Sequence, residues 1–328
     1  MKHVALRVCA IATALGLTAC GSHANPAAQV PQAGPNVPNI MKPMDVGGGP
    51  SGTRLNVLLG DAAPDISGRT LKRLDLGIRE IDAVENGQVT VLASYDEPRI
   101  VNVLAHQDDS GESVANANVA RNEYQQLRLV VDLPSSGVKF EGEQRAPLTF
   151  LVNVASASSL GAGVSTVTSS DGPAAVDILV TQPFSIPVDH TNAVRLDFNA
   201  FESLALDSAG NALARPALFV APIDDMGKVK GHVLNPNGSP VSNATVVAVA
   251  QDGSVANTDW TDDKGRFVIG TLRSGTYTLV VYNSYTTAVG RTVTASGESA
   301  SNASRQSFTG PTVTVTGGQT TAAGSIAD

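Results

Sequence analysis

The sequence predicts an all-β chain built as two sandwich-like domains. Val, Thr and Ala recur in short runs broken by Gly, Asn, Asp and Pro, with 31 Gly and 18 Pro among 328 residues. That is the punctuation of many short strands. No long stretch after residue 53 keeps the apolar period of a helix, about 3.6 residues. One hydrophobic core rarely grows past roughly 250 residues, so a chain of 328 is expected to divide.

The amino terminus reads as an export signal. Lys2 and Arg7 precede the apolar run Val8 to Leu17, which is too short to span a bilayer and fits a secretory signal over residues 1–19. Leu17-Thr18-Ala19-Cys20, followed by Gly21-Ser22, resembles a bacterial lipobox. The resemblance implies cleavage before Cys20 and its modification with diacylglycerol and an acyl chain such as palmitate. Dozens of buried methylenes at about 0.8 kcal/mol each would hold such a protein on a membrane. The expected location is therefore the cell envelope. Gly21 in place of Asp points to the outer membrane where the cell has two.

Removing residues 1–19 leaves 20 Lys+Arg against 30 Asp+Glu, a net charge of −10. A surface this acidic, without basic runs, lacks the charge to neutralise phosphates and argues against nucleic acid as a partner. Cys9 leaves with the signal and Cys20 is lipidated, so no thiol remains for a disulfide. Stability is expected from packing alone.

Residues 20–53 hold Pro26, Pro31, Pro35, Pro38, Pro43 and Pro50 with Gly47-Gly48-Gly49, the composition of a disordered tether. The first domain is expected over residues 54–222. Leu55 to Leu59 reads as a strand, Leu71 to Ile81 alternates as a half-buried one, and Asn86-Gly87 is a hairpin turn before Val89 to Leu92. Ile100 to Leu104 is expected as a further short strand and Gln107 to Asn118 as a polar loop. Tyr124 to Val131, Val138 to Phe140, Leu148 to Val154, Val176 to Val180, Phe184 to Val188, Val194 to Phe198 and Leu213 to Val220 follow as strands, with one helical turn over Ala200 to Leu204. Asp61-Ala62-Ala63-Pro64, Tyr124 to Val130, and Arg195 to Ala200 before Ser203 together resemble a bacterial lipoprotein domain family, domain of unknown function family 4382. Asn122 stands where that family usually carries Gly. The resemblance brings no activity with it.

Residues 223–227 read as a hinge, and the pattern restarts over 228–328. Asn237-Gly238-Ser239-Pro240-Val241, the hairpin Asp262-Asp263-Lys264-Gly265-Arg266-Phe267, and Gly275-Thr276-Tyr277-Thr278-Leu279 form a set. This set resembles the carboxypeptidase regulatory-like module, a transthyretin-like sandwich of seven strands. Phe267, Ile269, Leu272, Tyr277 and Leu279 are expected in its core, residues 296–310 as a polar insertion, and Thr312 to Gln319 as its closing strand and turn.

Chemistry is harder to find. His23, His106, His190 and His232 occur singly, and no metal-ligand spacing, nucleophile elbow or phosphate-cradling loop is present. His232 is expected to face outward from a strand. Asp259, Asp262 and Asp263 lack the ligand spacing of a calcium loop, and Asp224-Asp225 reads as a charged linker. No metal, cofactor or catalytic residue is therefore expected. Sandwiches related to the second domain include starch-binding-like folds, and sugar sites use exposed aromatic platforms. Of the 14 aromatics, Trp260 beside its turn, with Tyr282 and Tyr285, is the candidate ligand contact. The resulting reading is a non-enzymatic, lipid-anchored envelope protein with a binding or structural display role, an envelope protein or polysaccharide as its partner. Carbohydrate binding is the alternative, and a hydrolase with scattered carboxylates a third.

Overall fold

The computed structural model describes residues 52–327 apart from 62–64, 67–68, 106–110, 121–122, 154–164, 170–173, 288 and 296–306. The signal, Cys20, the tether, His23, His106 and most of the expected insertion lie outside the described residues. The regular structure described is nearly all strand, so the all-β expectation holds.

The first sandwich sets a four-stranded sheet against a larger, nine-stranded one. In the smaller sheet, Arg54–Gly60 runs parallel to Thr191–Phe198 and antiparallel to Glu112–Asn118, with Leu218–Pro222 on the outer flank of Thr191–Phe198. The larger sheet is dominated by Arg69–Glu85, paired on one side with Gln88–Asn102 and on the other with Gln126–Phe140. Alternation places Leu55, Val57 and Leu59 of one sheet, and Ile78, Ile81, Leu127, Leu129 and Ile178 of the other, in one fully buried core. Asn86 at φ 49° and Gly87 at φ 74° make the tight turn joining the first long hairpin, as their dipeptide predicts.

Several expectations for the first sandwich need correction, including Phe184 to Val188, of which only Phe184–Ser185 is strand. Glu112–Asn118, read as loop, is a strand beside Arg54–Gly60 that buries Val114, Ala115 and Ala117. Its Glu, Asn and Ala content gives little intrinsic β preference, so pairing and burial decide it. Val89 to Leu92 and Ile100 to Leu104 are not separate strands. Gln88–Asn102 is continuous, and Val103–Ala105 is a 3-10 turn. Likewise Gln126–Phe140 runs unbroken through Pro134. There the ladder bulges, and the Ser136 hydroxyl substitutes for a backbone partner, accepting from Gly77 N at 3.1 Å and donating to Asp132 O at 2.7 Å. Leu213 to Val220, finally, divides into Ala212–Ala214 and Leu218–Pro222, which lie in different sheets.

The second sandwich pairs a three-stranded sheet, Arg266–Arg273, Met226–Leu234 and Thr320–Ala327, with a four-stranded one, Val255–Trp260, Thr245–Ala250, Gly275–Tyr282 and Ser307–Val315. These seven strands enclose Phe267, Ile269, Leu272, Tyr277 and Leu279, the residues expected there. Ser307 to Gly310, expected within the insertion, open the Ser307–Val315 strand. Thr320–Ala327, which the sequence left unassigned, closes the smaller sheet parallel to Met226–Leu234. Its small side chains carry little alternation beyond Ile326.

Asp262 organises the hairpin before Phe267. Its Oδ1 accepts from Lys264 N and Arg266 N, both at 2.9 Å, and its Oδ2 from Arg266 Nε at 2.8 Å. Gly265 sits there at φ +73°, where an added Cβ would lie 2.5 Å from Val233 O. Both the dihedral and the contact exclude a side chain. Gly265→Ala is expected to cost about 1–2 kcal/mol, measured as a lowered midpoint of urea unfolding; an unchanged midpoint would show that the turn relaxes freely.

Candidate functional site

Both sandwiches belong to one compact unit, and the most densely organised polar region of the molecule is the seam between them. It grows from the single helical turn Ala200–Ser203. Asn199 caps that turn, its Oδ1 accepting from Glu202 N at 3.1 Å, while Asp61 Oδ2 accepts from Ala200 N at 2.6 Å. The Asn199 amide then reaches across the seam. Its Nδ2 donates to Asn257 Oδ1 at 3.2 Å and to Thr258 O and Oγ1, both at 3.1 Å. The Thr258 hydroxyl donates to Glu202 Oε1 at 3.0 Å, and Asn257 Nδ2 donates to Asp197 Oδ2 at 3.1 Å and Gly270 O at 3.0 Å. Buried polar groups are thus satisfied by the opposite sandwich, which fixes the relative register of the two.

Beside this network lies an aromatic stack. Phe201 is 2% exposed and meets Trp260 with ring centroids 4.6 Å apart at 14°. The Arg291 guanidinium sits 4.7 Å from the Phe201 centroid, and its Nη2 donates to Phe201 O at 2.7 Å. Tyr285, 4% exposed, and the half-buried Tyr282 pack with Val247 in the same cluster, their rings 5.7 Å apart. The three aromatics singled out from the sequence are therefore neighbours, gathered at the seam. One face of Trp260 is occupied by Phe201, a residue of the first sandwich with no sequence pattern linking it to Trp260.

A cavity of about 160 Å³ opens beside the network, lined by Asp61, Asp197 and Asp259 among others. Asp259 Oδ2 accepts from Val268 N at 2.6 Å. Burial nevertheless pushes the Asp259 carboxyl up to about 7, and the Asp197 and Asp262 charges add to the rise. Burial raises Asp197 as well, against the nearby Arg195 guanidinium and the Asn257 and Thr271 hydrogen bonds. Thr271 makes that bond from φ +52°, a strained conformation for a β-branched residue. A second carboxylate cluster lies on the nine-stranded sheet, where Arg128 bridges Glu80, Asp82 and Asp177. Asp82 is fully buried there, and burial raises it to about 6 despite the Arg128 hydrogen bond.

His190 and His232 are both exposed and lie on different sandwiches, His232 facing outward from its strand as expected. Asp224 and Asp225 form a 3-10 turn, and Ser274 N donates to Asp225 O at 2.9 Å, so the residues expected to hinge are tied to the second sandwich. Among the described residues, no cluster of His, Cys, Asp and Glu could hold a metal ion, and no helix is long and apolar enough to cross a membrane.

Two β-sandwiches locked by a polar and aromatic seam define the class of protein. The chain belongs to the family described as domain of unknown function (DUF4382), whose model matches residues 52–216, and residues 228–326 match the carboxypeptidase regulatory-like domain. The comparison with curated proteins returns no match. Among solved structures, the chain is similar to BcpA, the major pilin subunit of Bacillus cereus, at 11% identity and TM-score 0.23, covering 84% of this chain and 98% of that one. It is similar to GBS52, the minor pilin of Streptococcus agalactiae, at 10% identity and TM-score 0.21, covering 84% and 96%. The shaft pilin SpaA of Lactobacillus rhamnosus GG matches at 10% identity and TM-score 0.22, covering 84% and 96%. At these TM-scores the likeness carries no argument about function.

Proposed function

We propose that this is a lipid-anchored cell-envelope protein that displays a stiff two-sandwich head in a non-catalytic binding or structural role. The observation that carries the reading is the seam. Hydrogen bonds that link Asn199 and Glu202 with Asn257 and Thr258, together with the Phe201–Trp260 stack, give the head a fixed shape. A head of fixed shape presents its loops and clefts in constant relation, which suits recognition of a partner. Cys20 would fix one end to the bilayer, and residues 21–53 would give up to about 100 Å of reach if fully extended.

Fractionating cells that express the chain and its Cys20→Ala variant tests the anchor. The wild type is expected in the membrane pellet and the variant in the soluble envelope fraction. Retention of the variant in the pellet would remove the anchor from this reading. A hydrolase screen on the same preparations tests the non-catalytic part, and turnover of any ester, peptide or glycoside substrate would overturn it. Carbohydrate binding is the reading with a second observation in its favour, a pair of clefts remote from the aromatic stack.

A further inference from the structure

Two clefts of about 340 Å³ each flank the seam and meet at Arg273 and Ser185. Each volume falls in the range of small-molecule sites, roughly 300–1,000 Å³. Arg273 is contributed by the second sandwich, and its Nη2 donates to two carbonyls of the first, Pro183 O at 2.5 Å and Val220 O at 3.2 Å. Those two bonds hold the guanidinium in place without neutralising it. Its Nε is buried and closed to a ligand, but its Nη1 makes no hydrogen bond among the described residues, and Asp225 acts on the guanidinium only from beyond ion-pair distance. A fixed cation with unspent donors is therefore held where the two clefts join.

The remaining charges decide what would fit. Glu85 and Glu123 line one cleft, and Asp224 and Asp225 the other, so acidic residues outnumber the one guanidinium along both walls. Glu123 and Asp224 are exposed and make no hydrogen bond or ion pair with side chains among the described residues. An anionic ligand would meet this acidic rim before reaching Arg273, and a cationic one would meet Arg273 itself. A neutral ligand dense in hydroxyls suits both, since each hydroxyl can donate to a carboxylate and accept from the guanidinium. Prolines 183, 187 and 222, with Ile186, supply apolar wall for the C–H faces of a ring.

We propose that the paired clefts at Arg273 bind a neutral oligosaccharide. The site deepens the display reading, on which it rests, by naming what the head would hold. It is distinct from the Trp260 stack, which ties the sandwiches together.

Isothermal titration of the full chain in detergent, with cellotetraose, maltotetraose, tetra-N-acetylchitotetraose and tetragalacturonate as probes, tests it. At least one neutral tetramer is expected to bind saturably, and tetragalacturonate not at all. Arg273→Gln should weaken that binding at least tenfold. Because Arg273 also bonds across the seam, the double variant Glu123→Gln with Asp224→Asn serves as the second arm, with an expected loss of at least tenfold and an unchanged melting temperature. Trp260→Phe should bind like the wild type. Binding of no neutral tetramer, preference for tetragalacturonate, undiminished binding in the double variant, or a tenfold loss in Trp260→Phe would each overturn the proposal. Failure of the anchor would show separately, in the Cys20→Ala fractionation.

Discussion

Phe201→Ala is expected to lower the unfolding free energy by about 3–5 kcal/mol, the usual cost of deleting a buried phenylalanine ring. The loss should be near the upper end. Phe201 contacts both the Trp260 ring, 4.6 Å away, and the Arg291 guanidinium, 4.7 Å away, so truncation removes the ring contact of both, although Arg291 keeps its bond to the Phe201 carbonyl. The structural consequence matters more than the number. The stack is a principal apolar contact between the sandwiches, and its removal should turn one cooperative transition into two. Trp260 is the single tryptophan in the chain, so its fluorescence reports directly on the seam. Calorimetry should show the splitting, with the Trp260 emission shifting to the red in the earlier step. A single transition lowered by less than about 1 kcal/mol would mean that the polar network alone couples the two halves.

The second large effect is a pH dependence centred on Asp259. Its carboxyl is pushed from the ordinary aspartate range up to about 7, chiefly by burial. A raised carboxyl means that the folded protein holds a proton the unfolded chain has already lost. The stability linked to that proton is fully present below about pH 4, the ordinary Asp range, and is lost as pH rises through about 7. A rise of about three pH units corresponds to ~4 kcal/mol, but the Asp259 side chain is partly accessible at the lip of its cavity, so water reduces this to about 2–3 kcal/mol. The surrounding groups act in both directions. Asp197 approaches from the first sandwich and Asp262 from the second, both raising Asp259, while Lys228 and Arg195 line the same cavity.

Asp259→Asn keeps an acceptor for Val268 N and removes the charge. The variant is expected to gain about 2–3 kcal/mol over the wild type at pH 8 and almost nothing at pH 4, read from urea unfolding at each pH. Asp82, raised to about 6, contributes in the same direction in both proteins and cancels in the comparison. Equal stability of variant and wild type at pH 8 would show that Asp259 carries its charge without cost.

Where intrinsic preference and burial agreed, the sequence was enough. Asn86-Gly87 announced its hairpin because two consecutive residues must take positive φ there, and Phe267, Ile269 and Leu272 announced a core because alternation puts them on one face. The matches to two families rest on the same local patterns. Glu112–Asn118 shows the limit. Val114 is its one strand-forming side chain, and it is a strand because Arg54–Gly60 offers it an edge. The converse holds around Pro134, where Tyr124 to Val131 and Val138 to Phe140 read as two strands and the Ser136 hydroxyl fills the gap in the ladder that makes them one.

The candidate site was less legible than the fold. Trp260, Tyr282 and Tyr285 could be named from their positions beside turns, but their common neighbour Phe201 lies more than fifty residues earlier in the chain. Arg273 carried no signal at all, because a single arginine at the end of a strand becomes a site only when Pro183 and Val220 are brought to it. By itself, the sequence determined the all-β class, the two sandwich patterns, the core of the second and the export signature that makes Cys20 an expected anchor. The tertiary structure alone decided the seam, the burial of Asp259 and the clefts at Arg273. The reason is physical: strand patterns are set by neighbours two residues apart, whereas burial of a carboxylate or a guanidinium is set by whichever surface folds over it.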